Sequence, residues 1–169
     1  MAGSKVAIIL GSDSDWPVME VCYTTLKELG VPARVEVLSA HRTPDKLREF
    51  VFSSDEQGIG VFIAAAGMSA ALPGAVAAHT VRPVIGVPLA SGPLQGVDSL
   101  LSMVQMPQGV PVATVAIGAS GAKNAALLAV QMLALSDPKL ADAIKKFKRI
   151  QAETVDKKNQ TLRERLGLG

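Results

Sequence analysis

Aromatic residues make up only 4% of the 169-residue chain, with a single Trp and a single Tyr. A core must therefore be assembled from Ala, Val, Leu and Ile, and a flavin-type site flanked by rings has little to draw on beyond Trp16 and Tyr23. There is one cysteine, Cys22, so no intrachain disulfide can form, which suits a reducing, cytoplasmic compartment. Cys22 falls in a segment with helical spacing and reads as a small buried hydrophobe. Histidine occurs twice, as His41 and His79. No His/Cys/Asp cluster has metal-ligand spacing, and neither a Walker loop nor a GxGxxG fingerprint is present, so no metal, organic cofactor or ATP is expected. Charged residues are scarce at 19% against 49% hydrophobic, which excludes a disordered chain. No signal peptide is read ahead of the apolar run Lys5–Leu10. The longest apolar stretch, Val61 to Ala78, is broken by Gly67, Ser69, Pro73 and Gly74, and reads as strand, loop and short helix, with no membrane span.

What is present alternates short apolar runs with helical patterns. Lys5–Leu10 ends at Gly11 as a buried parallel strand does. Asp15 to Leu29 has helical spacing and stops at Gly30. A second strand is expected at Ala33–Leu38 and a helix opened by Thr43-Pro44-Asp45. Strands follow at Gly60–Ala65, Pro83–Val87 and Pro111–Ile117, with helices at Ala70–His79 and Asn124–Leu135. The last of these is apolar on nearly every face and is expected to be buried. Five strands with helical crossovers make a parallel, doubly wound α/β sheet, and residues 1–137 form one α/β catalytic domain. Residues 138–169 form a C-terminal amphipathic helix after the strong start Ser136-Asp137-Pro138. Its stripe of Leu140, Ile144, Phe147, Ile150 or Gln151, and Val155 is expected to pack on a neighbouring subunit. Between Pro138 and Arg165, nine Lys/Arg face four Asp/Glu. With Phe147 as the one aromatic there, this reads as a solvated helix face and not a nucleic-acid site.

Ligands of such sheets bind at the carboxyl ends of the strands, where the order reverses. Four loops lie there: Gly11–Asp15, Ser39–Thr43, Ala66–Gly74 and Pro88–Asp98, and the first three carry recognisable chemistry. Gly11-Ser12-Asp13-Ser14-Asp15 offers hydroxyls and N–H groups at a helix start, an arrangement able to hold a phosphate, with Asp15 as helix cap or ribose partner. Ser39-Ala40-His41-Arg42-Thr43-Pro44 pairs a side chain that titrates near neutrality with a planar cation for phosphate or carboxylate. Ala65 to Gly74 is made of small residues that let main-chain N–H groups approach a ligand. His79, at the end of an alanine-rich helix, reads as structural. A phospho-acceptor signalling domain would need an aspartate after the third strand, where this chain has Ala65-Ala66-Gly67.

Five motifs carry a family resemblance: GSDSDW at Gly11–Trp16, SAHRTP at Ser39–Pro44, LPG at Leu72–Gly74, GVDSLLSMVQMP at Gly96–Pro107 and GVPVATVAIG at Gly109–Gly118. Together they resemble the N5-carboxyaminoimidazole ribonucleotide mutases of purine (IMP) biosynthesis, class I, over nearly the whole chain. The resemblance implies a flavodoxin-like three-layer α/β/α sandwich assembled as a homo-octamer, without metal or cofactor. It implies His41 as the catalytic acid/base, with Ser12 at the phosphate and Asp15 at the ribose. Arg42 is implied as a binding cation, with Ser39, Gly67 and Leu72 also contacting substrate. The N-carboxylate is lost as carbon dioxide, C4 of the ring recaptures it, and His41 shuttles the proton. Many class I members carry a histidine just before Leu-Pro-Gly; here it is Ala71. Met68 also replaces a glycine, and Ser69 is similar to the class II loop. The alternative is therefore the class II carboxylase, which takes free carbon dioxide in the same fold.

Overall fold

The computed structural model describes residues 5–168; residues 1–4 and 169, at the outer edges of the two expected units, lie outside the described residues. The strands are β1 (Val6–Leu10), β2 (Ala33–Val37), β3 (Val61–Gly67), β4 (Val84–Leu89) and β5 (Ala113–Thr114). The helices are α1 (Trp16–Glu28), α2 (Pro44–Glu56), α3 (Leu72–Ala77), α4 (Val97–Val104), α5 (Ala119–Ala134) and α6 (Pro138–Arg165), with a 3-10 turn at Asp13–Asp15. All strand pairs are parallel, in the order β2-β1-β3-β4-β5. This is the flavodoxin-like order, and it reverses between β1 and β3.

The continuous apolar runs follow from burial on both faces. Val6, Ile8 and Leu10 of β1 join Val61, Ile63 and Ala65 of β3 beneath α1 and α5. Ala7 and Ile9 point the other way, with Phe62 and Ala64, against α2 and α3. Phe62 is wholly buried, and truncating such a side chain to Ala costs about 3–5 kcal/mol. In α1, Met19, Cys22 and Leu26 recur at helical spacing and are fully buried. Burial in apolar surroundings pushes the Cys22 thiol up to about 12, so it is an inert core residue, as expected.

Three expectations are corrected. β5, expected over Pro111–Ile117, spans only Ala113–Thr114, which pair with Ile85 and Gly86 of β4; Pro111 has no N–H with which to extend the ladder. Helix α4, not foreseen, begins within the last residues of the expected Pro88–Asp98 loop; it follows Gly96, whose φ of 87° places the chain in the left-handed region at the helix start. Helix α5 begins at Ala119 and is buried on one face only, through Gly121, Ala122, Ala125, Ala126, Ala129 and Val130. Lys123, Asn124 and Gln131 on its other side are exposed.

The start of α6 is fixed to the domain. Asp137 caps it by accepting from the Lys139 N–H at 3.1 Å, and Lys5 reaches Asp137 at 3.3 Å. Leu140 and Ile144 are buried on α5, and the Lys123 ammonium lies 5.8 Å from the Phe147 ring centroid. From Lys148 to Leu168 every residue is exposed. Twenty-eight residues make a rod about 42 Å long, so most of the helix stands clear of its own domain. Among the described residues, no helix is long and apolar enough to cross a membrane.

Candidate active site

A cleft of about 570 Å³ opens at the carboxyl edge of the sheet, over the point where the strand order reverses. That volume lies in the range of small-molecule sites. Four segments line it: Gly11 to Asp15 after β1, Ser39 to Arg42 after β2, Ala66 to Leu72 after β3, and Ser91 after β4. Ser12, Asp15, Ser39, His41, Arg42, Gly67 and Leu72, scattered over about sixty positions of sequence, all come together in the lining of this one cleft.

The β1 loop is a closed hydrogen-bonded turn. The Ser12 N–H donates to Asp15 Oδ2 at 2.9 Å, and the Ser12 hydroxyl accepts from the Ser14 N–H, forming a capping box over the 3-10 turn. Asp15 occupies the position before α1 but makes no side-chain bond to that helix; it turns back to Ser12 instead. The Asp15 carboxyl is buried, and desolvation raises its pKa against the opposing hydrogen bonds from the Ser12 and Gly11 backbone; the nearby Asp13 charge raises it further. Asp13 is exposed, and its Oδ1 accepts from the Ser14 N–H at 3.1 Å and the Ser12 hydroxyl at 3.2 Å. Those donors are therefore held by a carboxylate, and any anion bound at this turn has to exchange with it.

The β2 loop is built around Ser39 and Thr43. Thr43 precedes α2 but leaves its helix uncapped; its hydroxyl accepts from the Ser39 N–H at 3.0 Å. The Ser39 hydroxyl accepts from the Arg42 N–H at 3.2 Å and from Arg42 Nε at 3.4 Å. One more bond, from Arg42 Nη2 to the Gly11 carbonyl at 3.3 Å, ties this loop to the β1 loop. His41, exposed on the cleft side of the same turn, has its ring free to meet a ligand.

The β3 loop carries a backbone exception. Met68 has φ of 56°, a left-handed conformation rare for a residue with a side chain. The N–H groups of Met68, Ser69 and Ala71 donate to no protein acceptor among the described residues. Three amides without a protein acceptor, on residues that line the cleft, are donors available to an anionic ligand. Gly67 must be glycine for a steric reason: a Cβ there would collide with the Ser91 side chain. Ser91 was not singled out by the sequence reading; the small-residue run Ala90-Ser91-Gly92 after β4 was the available signal. Ala71 is exposed at the rim and presents no ionisable group.

Two features stand apart from the cleft. Trp16 and Tyr23 meet at a tilt, with centroids 5.9 Å apart and ring planes 56° from parallel, and do not line it. His79 follows α3, its ring 5.9 Å from that of Phe52. Among the described residues, no group of three or more His, Cys, Asp or Glu stands close enough to hold a metal ion.

A doubly wound sheet with hydroxyls, free amides, an arginine and a histidine around a cleft at its switch point defines an α/β domain equipped to take a small anionic ligand. The chain belongs to the AIR carboxylase family, whose model matches residues 5–154. It is 52% identical over 152 residues to the N5-carboxyaminoimidazole ribonucleotide mutase of Escherichia coli K12, covering 90% of each chain. It is 52% identical over 163 residues to the mutase of Mycobacterium tuberculosis H37Rv, covering 96% of this chain and 92% of that one. In structure it is similar to the crystal structure of Treponema denticola PurE, with a TM-score of 0.85 and 30% identity over 93% of this chain and 97% of that one.

Proposed function

We propose that this chain converts N5-carboxyaminoimidazole ribonucleotide to 4-carboxy-5-aminoimidazole ribonucleotide in purine biosynthesis, an intramolecular carboxylate transfer. The observation that carries the reading is the Arg42–Gly11 tie, which sets His41 and Arg42 beside the Ser12 loop in a relative of named mutases. Ser12 and Ser14 take the phosphate, Asp15 the ribose, and Arg42 supplies the cation, with Ser39 holding that guanidinium in place. Gly67 and Leu72 shape the wall beside the heterocycle.

The chemistry needs one proton carrier and little else. The N–carboxylate bond breaks, its electron pair returns to nitrogen, and carbon dioxide is released inside the cleft. C4 of the electron-rich ring attacks that carbon dioxide, forming the new C–C bond. His41 removes the C4 proton to restore the aromatic ring and delivers a proton to the exocyclic nitrogen, so the net change is one proton and one carboxylate moved. Trapping carbon dioxide next to C4 replaces a bimolecular encounter with an intramolecular one. The residues call for no cofactor, and neither nucleic acid nor membrane enters the reading. The exposed stripe of α6 fits a homo-oligomer, an octamer by the family resemblance, in the cytoplasm.

One observation favours a second reading, direct carboxylation from free carbon dioxide: Ala71 leaves the rim of the β3 loop without an imidazole. The two are separated isotopically. Substrate carrying a labelled N-carboxylate is turned over in a large unlabelled bicarbonate pool. Retention of most label in the product is expected of the mutase. Wash-out, with efficient use of aminoimidazole ribonucleotide and bicarbonate, overturns it in favour of the carboxylase.

A further inference from the structure

We propose that Ser91 is a further substrate-binding residue, whose hydroxyl donates to the carboxylate that the reaction moves. The inference rests on the mutase reading for the identity of the ligand, and on four observations for the residue. Ser91 is the one side chain that the β4–α4 segment contributes to the cleft wall. It is half-buried and pressed against Gly67, which is barred from carrying a side chain by its presence. Its backbone N–H is satisfied by the Leu89 carbonyl at 3.0 Å, whereas its hydroxyl bonds to no protein atom among the described residues. The hydroxyls of Ser12 and Ser39 in the same cleft, by contrast, are engaged with protein partners. A half-buried hydroxyl on a residue of the cleft wall that no protein atom engages is a donor available to the ligand.

The sheet order says which part of the ligand that is. β2 and β4 flank the β1–β3 pair, so Arg42 and Ser91 stand on opposite walls of the crevice. The phosphate end is provided for on the β1–β2 side by the Ser12 loop and Arg42. On the β4 side lie Ser91 and the β3 loop, with the unpaired amides of Met68, Ser69 and Ala71. Hydroxyl and amides are all donors on offer to an anion, and the ligand's other anionic group is the carboxylate.

The test compares two ligands that differ only in that group. Ser91→Ala is measured for binding of 4-carboxy-5-aminoimidazole ribonucleotide and of aminoimidazole ribonucleotide, which lacks the carboxylate, alongside kcat/KM. Losing a hydrogen bond to a charged group predicts a fall of about 10- to 100-fold in affinity for the carboxylated ligand and in kcat/KM. Affinity for the decarboxylated ligand should stay within about twofold, a selectivity that a packing role at Gly67 would not produce. Ser91→Cys, which keeps the volume but donates poorly, should behave as Ser91→Ala. Equal weakening for both ligands, no weakening for either, or wild-type behaviour of the Cys variant each overturns the proposal. Wild-type turnover tests the mutase reading by itself, and the binding comparison judges Ser91 independently of it.

Discussion

The Arg42 guanidinium donates to the carbonyl of Gly11, 31 positions earlier in the chain, at 3.3 Å. That one bond draws the β2 loop over the end of β1, and Arg42 Nε is held from the other side by the Ser39 hydroxyl. Charge alone does not explain this geometry; the planar fork does. Arg42→Lys keeps the cation and loses the fork, so KM should rise about tenfold or more with a smaller change in kcat. Steady-state kinetics check this, and a lysine variant with unaltered KM would refute the fork argument.

His41 is exposed on the cleft side of the same turn and makes no contact that the fold depends on. His41→Asn should therefore leave thermal stability unchanged while cutting turnover by about two to four orders of magnitude, the usual share of a proton-transfer group. Ligand binding should persist, because the proposed phosphate and ribose contacts of Ser12 and Asp15 lie on another loop. Retention of a rate within about tenfold of wild type would remove His41 from its role.

Much of this site was legible in the sequence, because the sheet brings strand ends together whatever the loops contain. Recognising Lys5–Leu10, Ala33–Leu38 and Gly60–Ala65 as parallel strands was enough to place Ser12, His41 and Gly67 at one edge. What escaped notice is tertiary. The Thr43 hydroxyl closes its own loop through the Ser39 N–H, and Asp15 turns back on Ser12, though both read as helix caps. Ser91 lies in a loop at the right sheet edge, but its contact with Gly67 joins two loops and shows only in the folded chain. Helix α4 was hidden by the glycines ahead of it, since its left-handed Gly96 start offers no capping side chain.

Asp15 carries a cost in the free protein. Its pKa is raised in the folded state, chiefly by desolvation, so folding disfavours the ionised form. The penalty is present at every pH above the raised value and fades as pH falls toward the ordinary aspartate range. Asp15→Asn keeps an oxygen for the Ser12 N–H and removes the charge. It should raise Tm at neutral pH, with the gain shrinking below the raised pKa, while weakening ribose binding. Thermal melts of both proteins across pH check the sign; an Asn variant less stable at pH 7 than at acid pH, relative to wild type, contradicts it.

Gly67→Ala introduces a Cβ where the Ser91 side chain already stands. Overpacking of this kind costs about 1–3 kcal/mol, and it displaces the loop that carries the free amides of Met68 and Ser69. Activity should fall further than stability. Pairing it with Ser91→Gly should restore the melting temperature, since the collision needs both side chains. If the double variant melts no higher than Gly67→Ala alone, the steric account fails.

The last prediction concerns α6. Its first turns are anchored by Leu140 and Ile144, but Ile150, Val155 and Leu162 are 49%, 64% and 52% exposed. An isolated helix gains most of its stability from packing an apolar face, and the distal part of α6 has nothing of its own chain to pack on. Fully burying an exposed side chain of this kind is worth about 1.5–3 kcal/mol, so completing the burial of these three contributes a few kcal/mol to a subunit contact. Like charges argue against α6 pairing with another α6, since the segment carries nine Lys/Arg and four Asp/Glu. Its partner surface is better sought on the α/β domain of a neighbour, where Leu94, Val97, Leu101 and Val104 are half or more exposed around α4. Light scattering on the full chain should show a large homo-oligomer and no monomer. Ile150→Glu with Val155→Glu should lower the mass while the far-ultraviolet spectrum of the sheet domain survives, and so should Leu101→Glu with Val104→Glu. An oligomer of unchanged mass in both variants would mean that the subunits meet elsewhere.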